Sequence, residues 1–178
     1  MNTYENAPAT RMLATHCCVC RRPLLDAKSV EIGMGPDCRK KHGYDAVFEL
    51  LSDQDRVAAN KLVHDAALKD DAETLGAAIS GLHLLGFVKL ASIIIKRRVP
   101  VVITLSNQRT AYLVKTPFSE AAVRWWHRIP GRRWDRDEKV NVVPVAAKDT
   151  LWALLKAVYP GQLLAGPQGI KQIPGGAQ

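Results

Sequence analysis

Three cysteines and one histidine near the start of the chain have the types and spacing of a metal site. Cys17 and Cys20 lie in the stretch HCCVC with the spacing C-x2-C, which lets two thiolates of one tight turn reach the same ion. Cys38 and His42 follow with the spacing C-x3-H, and residues i and i+4 lie on one face of a helix. We therefore predict one structural zinc ion held by Cys17, Cys20, Cys38 and His42, with no open position.

The neighbouring residues bear on the choice of ligands. In the lead-in GMGPDC, Pro36 and Asp37 favour a helix start, because proline suits the first helical position and an acidic side chain suits the positive helix end. That helix favours His42 over His16 as the fourth ligand, and His16 stays open as the alternative. Three cysteines within four positions cannot form independent disulfides, which favours metal binding in a reducing compartment. The leftover thiol, Cys18, is expected to point away from the site.

This segment also carries a resemblance. The stretch CVCRRPLLDAKSVEIGMGPDC, within residues 16–43, is similar to a short zinc-binding domain of unassigned function found in bacteriophage and actinobacterial proteins. The shared pattern is C-x-x-C-G-R-x-L followed by G-x-G-P-x-C, and Arg21 stands where glycine is usual. The resemblance implies zinc binding. Residues 21–37 have room for a short hairpin. Five cations of this knuckle either contact phosphate or form a solvated rim: Arg21, Arg22, Arg39, Lys40 and Lys41.

A second stretch, RWWHRIPGRRWDR, combines five arginines and three tryptophans with one acidic residue. Arginine pairs with phosphate and exposed aromatic rings stack on bases, so this mixture is typical of a surface that binds a nucleic-acid strand. Trp126 is expected in the core and Trp134 in or half in the core, whereas Trp125 is the candidate for stacking. An arginine here is alternatively the partner of Asp135 or Asp137. The residues predicted to contact nucleic acid are Arg109, Lys115, Arg124, Trp125, Arg128, Arg132, Arg133 and Arg136.

The longer stretch AYLVKTPFSEAAVRWWHRIPGRRWDRDEKVNVVPV is similar to the HARP domain of annealing helicases and of their phage relatives. The matching positions within residues 100–160 are Tyr112 to Phe118, Ile129 to Asp135 and Lys139 to Val143. Asn141 stands where that domain usually has an aromatic residue. The resemblance implies DNA binding, with a preference for junctions between single and double strands, and a sheet of four or fewer strands backed by helices. The sequence has no G-x-x-x-x-G-K-[ST] loop, so no helicase motor is expected.

The remaining sequence predicts the elements that position these residues. Ser52 with Asp55 begins a helix, and Gly81 and Gly86 favour a break between two further helices. After Pro100 the pattern changes to strands and two amphipathic helices. We predict an α+β chain: a zinc knuckle of hairpin plus helix, a helical spacer, and a small antiparallel sheet backed by two helices. The expected bounds are 1–15 for a flexible arm, 16–44 for the zinc module, 45–98 for the spacer, 100–160 for the HARP-like basic DNA-binding domain and 161–178 for a flexible tail.

Charge and composition bound the function. The chain has 178 residues and a net charge of +8, and residues 90–178 alone carry +9, which favours a polyanionic partner. Without a membrane-spanning run or a signal segment, we expect a cytoplasmic protein of a bacterial host. We predict a non-enzymatic, phage-encoded protein that binds single-stranded or forked DNA in replication, recombination or strand annealing, alongside a phage or host protein of these processes. The alternative is an adaptor or inhibitor that docks a host or phage protein through the zinc module and helices. A third hypothesis is a DNA-processing nuclease.

Overall fold

The structure, a computed structural model, describes residues 13–175. Within this range it contains eight α-helices and a six-stranded sheet, so the α+β prediction is confirmed. The helices are α1 (Ala27–Ile32), α2 (Pro36–Lys41), α3 (Tyr44–Phe48), α4 (Asp53–Leu68), α5 (Ala72–Leu84), α6 (Val88–Arg98), α7 (Glu120–Trp126) and α8 (Lys148–Val158). The strands are β1 (Val101–Leu105), β2 (Ala111–Lys115), β3 (Arg133–Asp135), β4 (Val140–Pro144), β5 (Leu163–Gly166) and β6 (Gly169–Gln172). None of these helices is long and apolar enough to cross a membrane.

The chain divides into two compact units. The first comprises Met1–Asp70 and Ala78–Ala91, and the second comprises Asp71–Ala77 and Ser92–Gln178. Helices α1 to α4 belong to the first unit, whereas the sheet, α7 and α8 belong to the second. The cysteine module, by which we mean residues 16–44, therefore forms one unit with much of the stretch predicted as a spacer.

Residues 21–37 contain helix α1 (Ala27–Ile32) in place of the predicted hairpin. Asp26 caps this helix by accepting a hydrogen bond from the Ser29 N–H, and Gly33 ends it with a φ of 85°. In this part of the described chain, antiparallel pairing is limited to one bridge between His16 and Pro23. A side-chain cap at one end and a left-handed glycine at the other stabilise the short helix. Pro23 has no N–H, so it cannot donate a hydrogen bond that would extend the bridge into a hairpin.

Helix α4 packs directly on the cysteine module. A Cβ atom at Gly33 would lie 2.9 Å from the Ala67 Cβ and 3.0 Å from the His64 Cα, so the end of α1 approaches α4 closely. Arg21 joins the same two segments, since it donates to the Ala67 carbonyl at 3.0 Å and pairs with Asp70 at 3.2 Å. The predicted spacer therefore supplies part of the core of the first unit.

The predicted helix boundaries are confirmed where local signals are strong. Ser52 caps α4 by accepting a hydrogen bond from the Asp55 N–H. Gly86, with a φ of 87°, separates α5 from α6, whereas Gly81 lies inside α5. The sequence KRR occupies the last turn of α6, where cations interact favourably with the helix dipole.

The sheet has the strand order β3-β4-β2-β1-β5-β6. All pairs are antiparallel except β1 with β5, which is parallel. The prediction of a purely antiparallel sheet of four or fewer strands is therefore wrong at β5 and β6. Strands β1, β2 and β4 lie after Pro100, where the sequence predicts strands, and Pro144 ends β4.

The described residues within the predicted arm and tail take part in hydrogen bonding and in the core. Ala14 is buried, and the Thr15 carbonyl accepts a hydrogen bond from the Leu24 N–H; residues 1–12 lie outside the described part. The hairpin of β5 and β6 spans 163–172 of the predicted tail, and Ile173 is fully buried; residues 176–178 lie outside the described part. The Gly/Pro-rich composition there serves a tight turn between two strands.

One face of the sheet carries the core of the second unit. The strand register places Ile103, Val114 and Asn141 in one row, with Trp134 at its β3 end. Helices α7 and α8 pack on this face. The two helices and the loop that follows α7 supply these buried side chains to the core: Ala122, Trp126, Ile129, Leu151, Leu154 and Leu155. Both helices are thus amphipathic as predicted, with Val158 half-buried beside the core.

Candidate metal centre and basic edge strand

Three thiols converge in the first unit. The Sγ atoms of Cys17, Cys20 and Cys38 all lie within 4.8 Å of one another, with Cys17 buried and the other two half-buried. The turn that holds the first two is closed by the Arg21 N–H, which donates to the Cys17 carbonyl at 3.0 Å. Helix α2 supplies Cys38 from its first turn, after Pro36 at its start as predicted. All four cysteines are in the described part, and none forms a disulfide.

The backbone at Arg21 accounts for the glycine that is usual at this position in the similar zinc-binding domain. Its φ is 60°, a left-handed conformation that glycine adopts without strain and that costs other residues energy. The usual glycine at this position therefore fits the turn. In this chain the side chain of Arg21 is held by Ala67 and Asp70, contacts that glycine could not make.

The electrostatics of the three thiols concentrate negative charge on Cys17. A hydrogen bond with the Cys18 thiol, followed by the backbone N–H groups of Cys20, Gly35 and Val19, holds the pKa of Cys17 well below its ordinary value. Burial raises the pKa of Cys38, and the negative charge of Cys17 raises it further. A bound dication would relieve this repulsion, because coordination allows all of its thiol ligands to stay deprotonated.

The donor set fits a thiophilic ion. An ion bound tetrahedrally to sulfur at about 2.3 Å separates its ligand sulfurs by about 3.8 Å. The three sulfurs here, all within 4.8 Å of one another, would have to approach by at most about 1 Å to reach that spacing. Three cysteines close together could therefore hold a metal ion, and soft thiolates select zinc or another thiophilic metal over magnesium or calcium.

The fourth ligand stays a prediction. The cluster contains neither His42 nor His16. His42 ends α2. Its N–H donates to the Cys38 carbonyl at 3.0 Å, so His42 completes the helical turn that begins at Cys38. The exposed His16 ring contacts Thr15 Oγ1 at 2.9 Å through Nδ1. Cys18 is outside the cluster as predicted, but it is close enough to hydrogen-bond with Cys17.

The cations of the knuckle divide into structural and exposed groups. Arg39 is buried; its guanidinium lies 3.5 Å from the Met34 carbonyl and 3.6 Å from an Asp45 carboxylate oxygen. Arg21 is engaged with α4 and the residues that follow it. The remaining exposed side chains are those of Arg22, Lys40 and Lys41.

In the second unit the three clustered tryptophans have different environments. Trp126 is buried as predicted. Trp125 is half-buried against the core, and the Arg128 guanidinium lies 5.3 Å from its ring centroid. Trp134 is 48% exposed on β3. Trp134, rather than Trp125, is therefore the ring most available for stacking, because β3 lies at the edge of the sheet.

The acidic residues near β3 do not neutralise its arginines. The Asp135 carboxylate instead accepts hydrogen bonds from the N–H groups of Asp137 and Glu138, both at 3.1 Å, and so closes the turn to β4. Arg133 and Arg136 are exposed and form no ion pair within the part of the chain that the structure describes. The predicted pairing of an arginine with Asp135 or Asp137 is not observed there.

The eight predicted contact residues do not form one patch. Arg133 and Arg136 lie on and just after β3, whereas Arg132 is held by Asn141 through a 2.7 Å hydrogen bond from its Nε. Arg109 and Lys115 flank opposite ends of β2, which β4 separates from β3. The exposed side chains Arg124 and Arg128 are on α7 and just after it.

The sequence missed a concave site elsewhere in the second unit. A cleft of about 560 Å³ opens between the sheet, the first turns of α8 and the β5–β6 turn. Tyr112, Trp152, Lys148 and Lys171 are among its lining residues. They come from three separate segments, and no spacing rule relates one segment to another.

The comparisons with known proteins concern the N-terminal segment. Residues 7–43 match a family model described as "Family of unknown function (DUF6011)". This segment contains the three clustered thiols and both candidate histidines. No curated protein and no solved structure matches the chain.

Proposed function

We propose that this chain is a non-enzymatic, zinc-containing DNA-binding protein that binds single-stranded or forked DNA. The observation that carries the proposal is the basic edge strand, by which we mean Arg133, Trp134 and Arg136. It combines a half-exposed indole with two exposed arginines that form no ion pair within residues 13–175. Phosphate pairing and base stacking need these two kinds of side chain close together.

The geometry of the edge strand indicates how DNA would lie. Neighbouring residues of a strand project to opposite faces of the sheet. Trp134 shares the row of Asn141, while Arg133 shares that of Val142 and projects to the other face. A strand of DNA would therefore run along the edge, with bases on one side and phosphates on the other.

The metal centre has a structural role in this proposal. Zinc bound by the three thiols and one histidine would have no open position for a substrate. It would join the turn at Cys17–Cys20 to helix α2, and so fix a segment with few large buried side chains. His42 is the preferred fourth ligand and His16 the alternative.

The biological setting follows from the two resemblances and stays a proposal. The HARP-like pattern over residues 100–160 favours junction DNA, and the N-terminal pattern favours a phage-encoded protein. Replication, recombination and strand annealing are the processes in which such a binder would act, in the cytoplasm of a bacterial host.

The test is binding of the zinc-loaded protein to labelled single-stranded, duplex and forked DNA across a salt series. We expect tighter binding to single strands or forks, and affinity that falls steeply with salt. In the double variant Arg133→Ala/Arg136→Ala, the slope of log affinity against log salt should decrease by about 0.7 for each phosphate of a single strand that the variant no longer neutralises.

A matched control removes the same charge elsewhere in the second unit. Lys96→Ala/Lys156→Ala takes two exposed cations from helices α6 and α8. If this control and the edge-strand variant weaken binding equally, only net charge matters and the proposed interface is wrong. Weak and equal binding to all three DNA forms would contradict the proposed function itself.

The adaptor function is the second candidate, because the first unit exposes large apolar side chains. Leu25, Leu50 and Leu84 are 94%, 87% and 86% exposed, and apolar groups at an interface can anchor a protein partner. A stoichiometric protein partner that survives nuclease treatment, and is lost in Leu25→Ser/Leu50→Ser, would favour the adaptor. Retention of that partner by the variant would argue against these leucines as the docking surface.

A further inference from the structure

The cleft of the second unit has the shape of a small-ligand site. Its volume of about 560 Å³ falls within the range of about 300–1,000 Å³ that is typical of ligand pockets. Ile103, Leu105 and Leu164 give it an apolar floor on the sheet. Tyr112, which is half-buried on β2, shares the row of Leu105.

The wall of the cleft carries two cations, one of which lies against an aromatic ring. Lys148 and Trp152 are i and i+4 on α8, so one helix face presents both to the cleft. The Lys171 ammonium comes from β6 and lies 4.6 Å from the centroid of the Trp152 ring. An aromatic ring holds a cation without neutralising it, so this charge stays available for an anion.

The carboxylate on the same wall does not cancel these charges. Asp149 lines the cleft, but within residues 13–175 it forms no ion pair with Lys148 or Lys171. The charged lining residues are Lys148, Asp149 and Lys171, so two positive charges outweigh one negative charge. The carboxylate remains free to accept a hydrogen bond from an N–H donor.

The rim of the cleft leaves backbone accessible. Gly166 and Gly169 pair across the β5–β6 turn, and a Cβ atom at Gly169 would meet no atom within 4 Å. At these two glycines no side chain stands between a ligand and the main chain. Arg109 lies in the turn between Leu105 and Tyr112, so a further exposed cation stands at the same end of the sheet.

We infer that this cleft binds a nucleotide unit, with the base against the apolar floor and Tyr112 and the phosphate between Lys148 and Lys171. The flat ring of a base needs apolar and aromatic walls, and a phosphate needs unpaired cations. The Asp149 carboxylate would accept a hydrogen bond from an N–H group of the base. The nucleotide is either free or part of a single strand. This site is separate from the basic edge strand and does not depend on its function.

The experiment follows the indole N–H signals of the full chain by NMR. The four tryptophans give four such signals, and Trp152→Phe assigns the one in the cleft. Thymidine monophosphate should shift the Trp152 signal and bind about tenfold more tightly than thymidine or inorganic phosphate, because each of these offers only half of the contacts. Equal binding of all three probes, or a shift confined to the other indoles, would overturn the inference.

Variants and probes separate the possible sources of binding. Lys148→Gln/Lys171→Gln should weaken thymidine monophosphate about tenfold or more, whereas Lys156→Gln, on the same helix but outside this cleft, should leave it unchanged. An equal loss in both would overturn the site. If a short oligothymidylate shifts the Trp152 signal at lower concentration than the mononucleotide, the ligand is a strand; equal affinities indicate a free nucleotide.

The inference and the proposed function can fail independently. Arg133→Ala/Arg136→Ala should leave thymidine monophosphate binding unchanged, since neither arginine lines the cleft. If the mononucleotide does not bind while forked DNA still depends on these arginines, the cleft assignment falls and the DNA-binding proposal stands. Binding of the mononucleotide without DNA binding gives the reverse result.

Discussion

Arg132 donates a 2.7 Å hydrogen bond from Nε to Oδ1 of Asn141, a side chain that is only 5% exposed. The resemblance to the HARP domain predicts an aromatic residue at this position. A buried amide needs a hydrogen-bond partner, and Arg132 supplies it across the β3–β4 pair. The arginine therefore has a structural role at a position where the sequence predicted a contact with nucleic acid.

Arg132→Ala should destabilise the second unit more than Arg133→Ala. The first substitution leaves the Asn141 oxygen buried without its partner, at a cost of about 1–3 kcal/mol. The second removes an exposed side chain and should change the free energy of unfolding by less than about 0.5 kcal/mol. Urea unfolding of the two variants measures the difference. Equal stabilities would show that the Arg132–Asn141 bond contributes nothing net.

Zinc content should depend on three of the four cysteines. Cys17→Ser, Cys20→Ser and Cys38→Ser should each lose the ion, because hydroxyl is a poor replacement for thiolate. Cys18→Ala should retain one zinc per chain, since Cys18 is outside the cluster. Metal analysis of the purified proteins gives the stoichiometry. Loss of zinc in Cys18→Ala, with the other variants loaded, would contradict the assignment.

The two histidines can be distinguished by the same measurement. If His42 is the fourth ligand, His42→Ala should weaken zinc affinity strongly, and chelators should then remove the ion and unfold the first unit more readily. His16→Ala should behave like the unmodified chain, apart from its contact with Thr15. Competition with a zinc chelator reports both affinities. The opposite ranking would make His16 the ligand.

Gly33 and Gly43 offer a matched test of packing between α1 and α4. Both have positive φ, 85° and 72°, so alanine should cost about 1–2 kcal/mol at either position. At Gly33 the added Cβ would also contact Ala67 at 2.9 Å, whereas at Gly43 it would meet nothing within 4 Å. Overpacking adds about 1–3 kcal/mol, so Gly33→Ala should be clearly the less stable in thermal unfolding. Equal losses would mean that α4 moves aside freely.

Tyr159 should make the second unit sensitive to alkaline pH. Burial raises the pKa of its phenol, and the hydroxyl donates to the Pro117 carbonyl at 2.7 Å. Tyr159→Phe should cost about 1 kcal/mol near pH 8 through removal of this hydrogen bond. Above about pH 10 the unfolded tyrosine ionises while the folded one stays neutral, so the original chain loses stability that the phenylalanine variant keeps.

The difference between the two proteins should therefore shrink as the pH rises from 8 to 11. Urea unfolding at successive pH values measures it, and the comparison cancels the titration of the other tyrosines. A constant difference across this range would show that Tyr159 ionises equally easily in both states.

The sequence by itself determined the elements whose signals are local. The Ser52 cap, the Gly86 break and the apolar spacing of α8 are properties of neighbouring residues, and each reappears in the structure. The three thiols were also predictable, because a C-x2-C turn and a cysteine early in a helix restrict where their side chains can point. Three thiols close together are enough to predict binding of a thiophilic metal ion, whatever the rest of the fold.

Only the tertiary structure decided how distant segments meet. Strand β5 pairs with β1 across some sixty residues, and a pairing of that range leaves no periodic signal in a Gly/Pro-rich segment. The exposure of Trp134 depends on β3 being the edge strand, and the partner of Arg132 depends on the β3–β4 register. The cleft of Tyr112 and Trp152 exists only because α8 packs on that sheet. Burial and register are properties of the assembled chain, so residue types alone could not assign these roles.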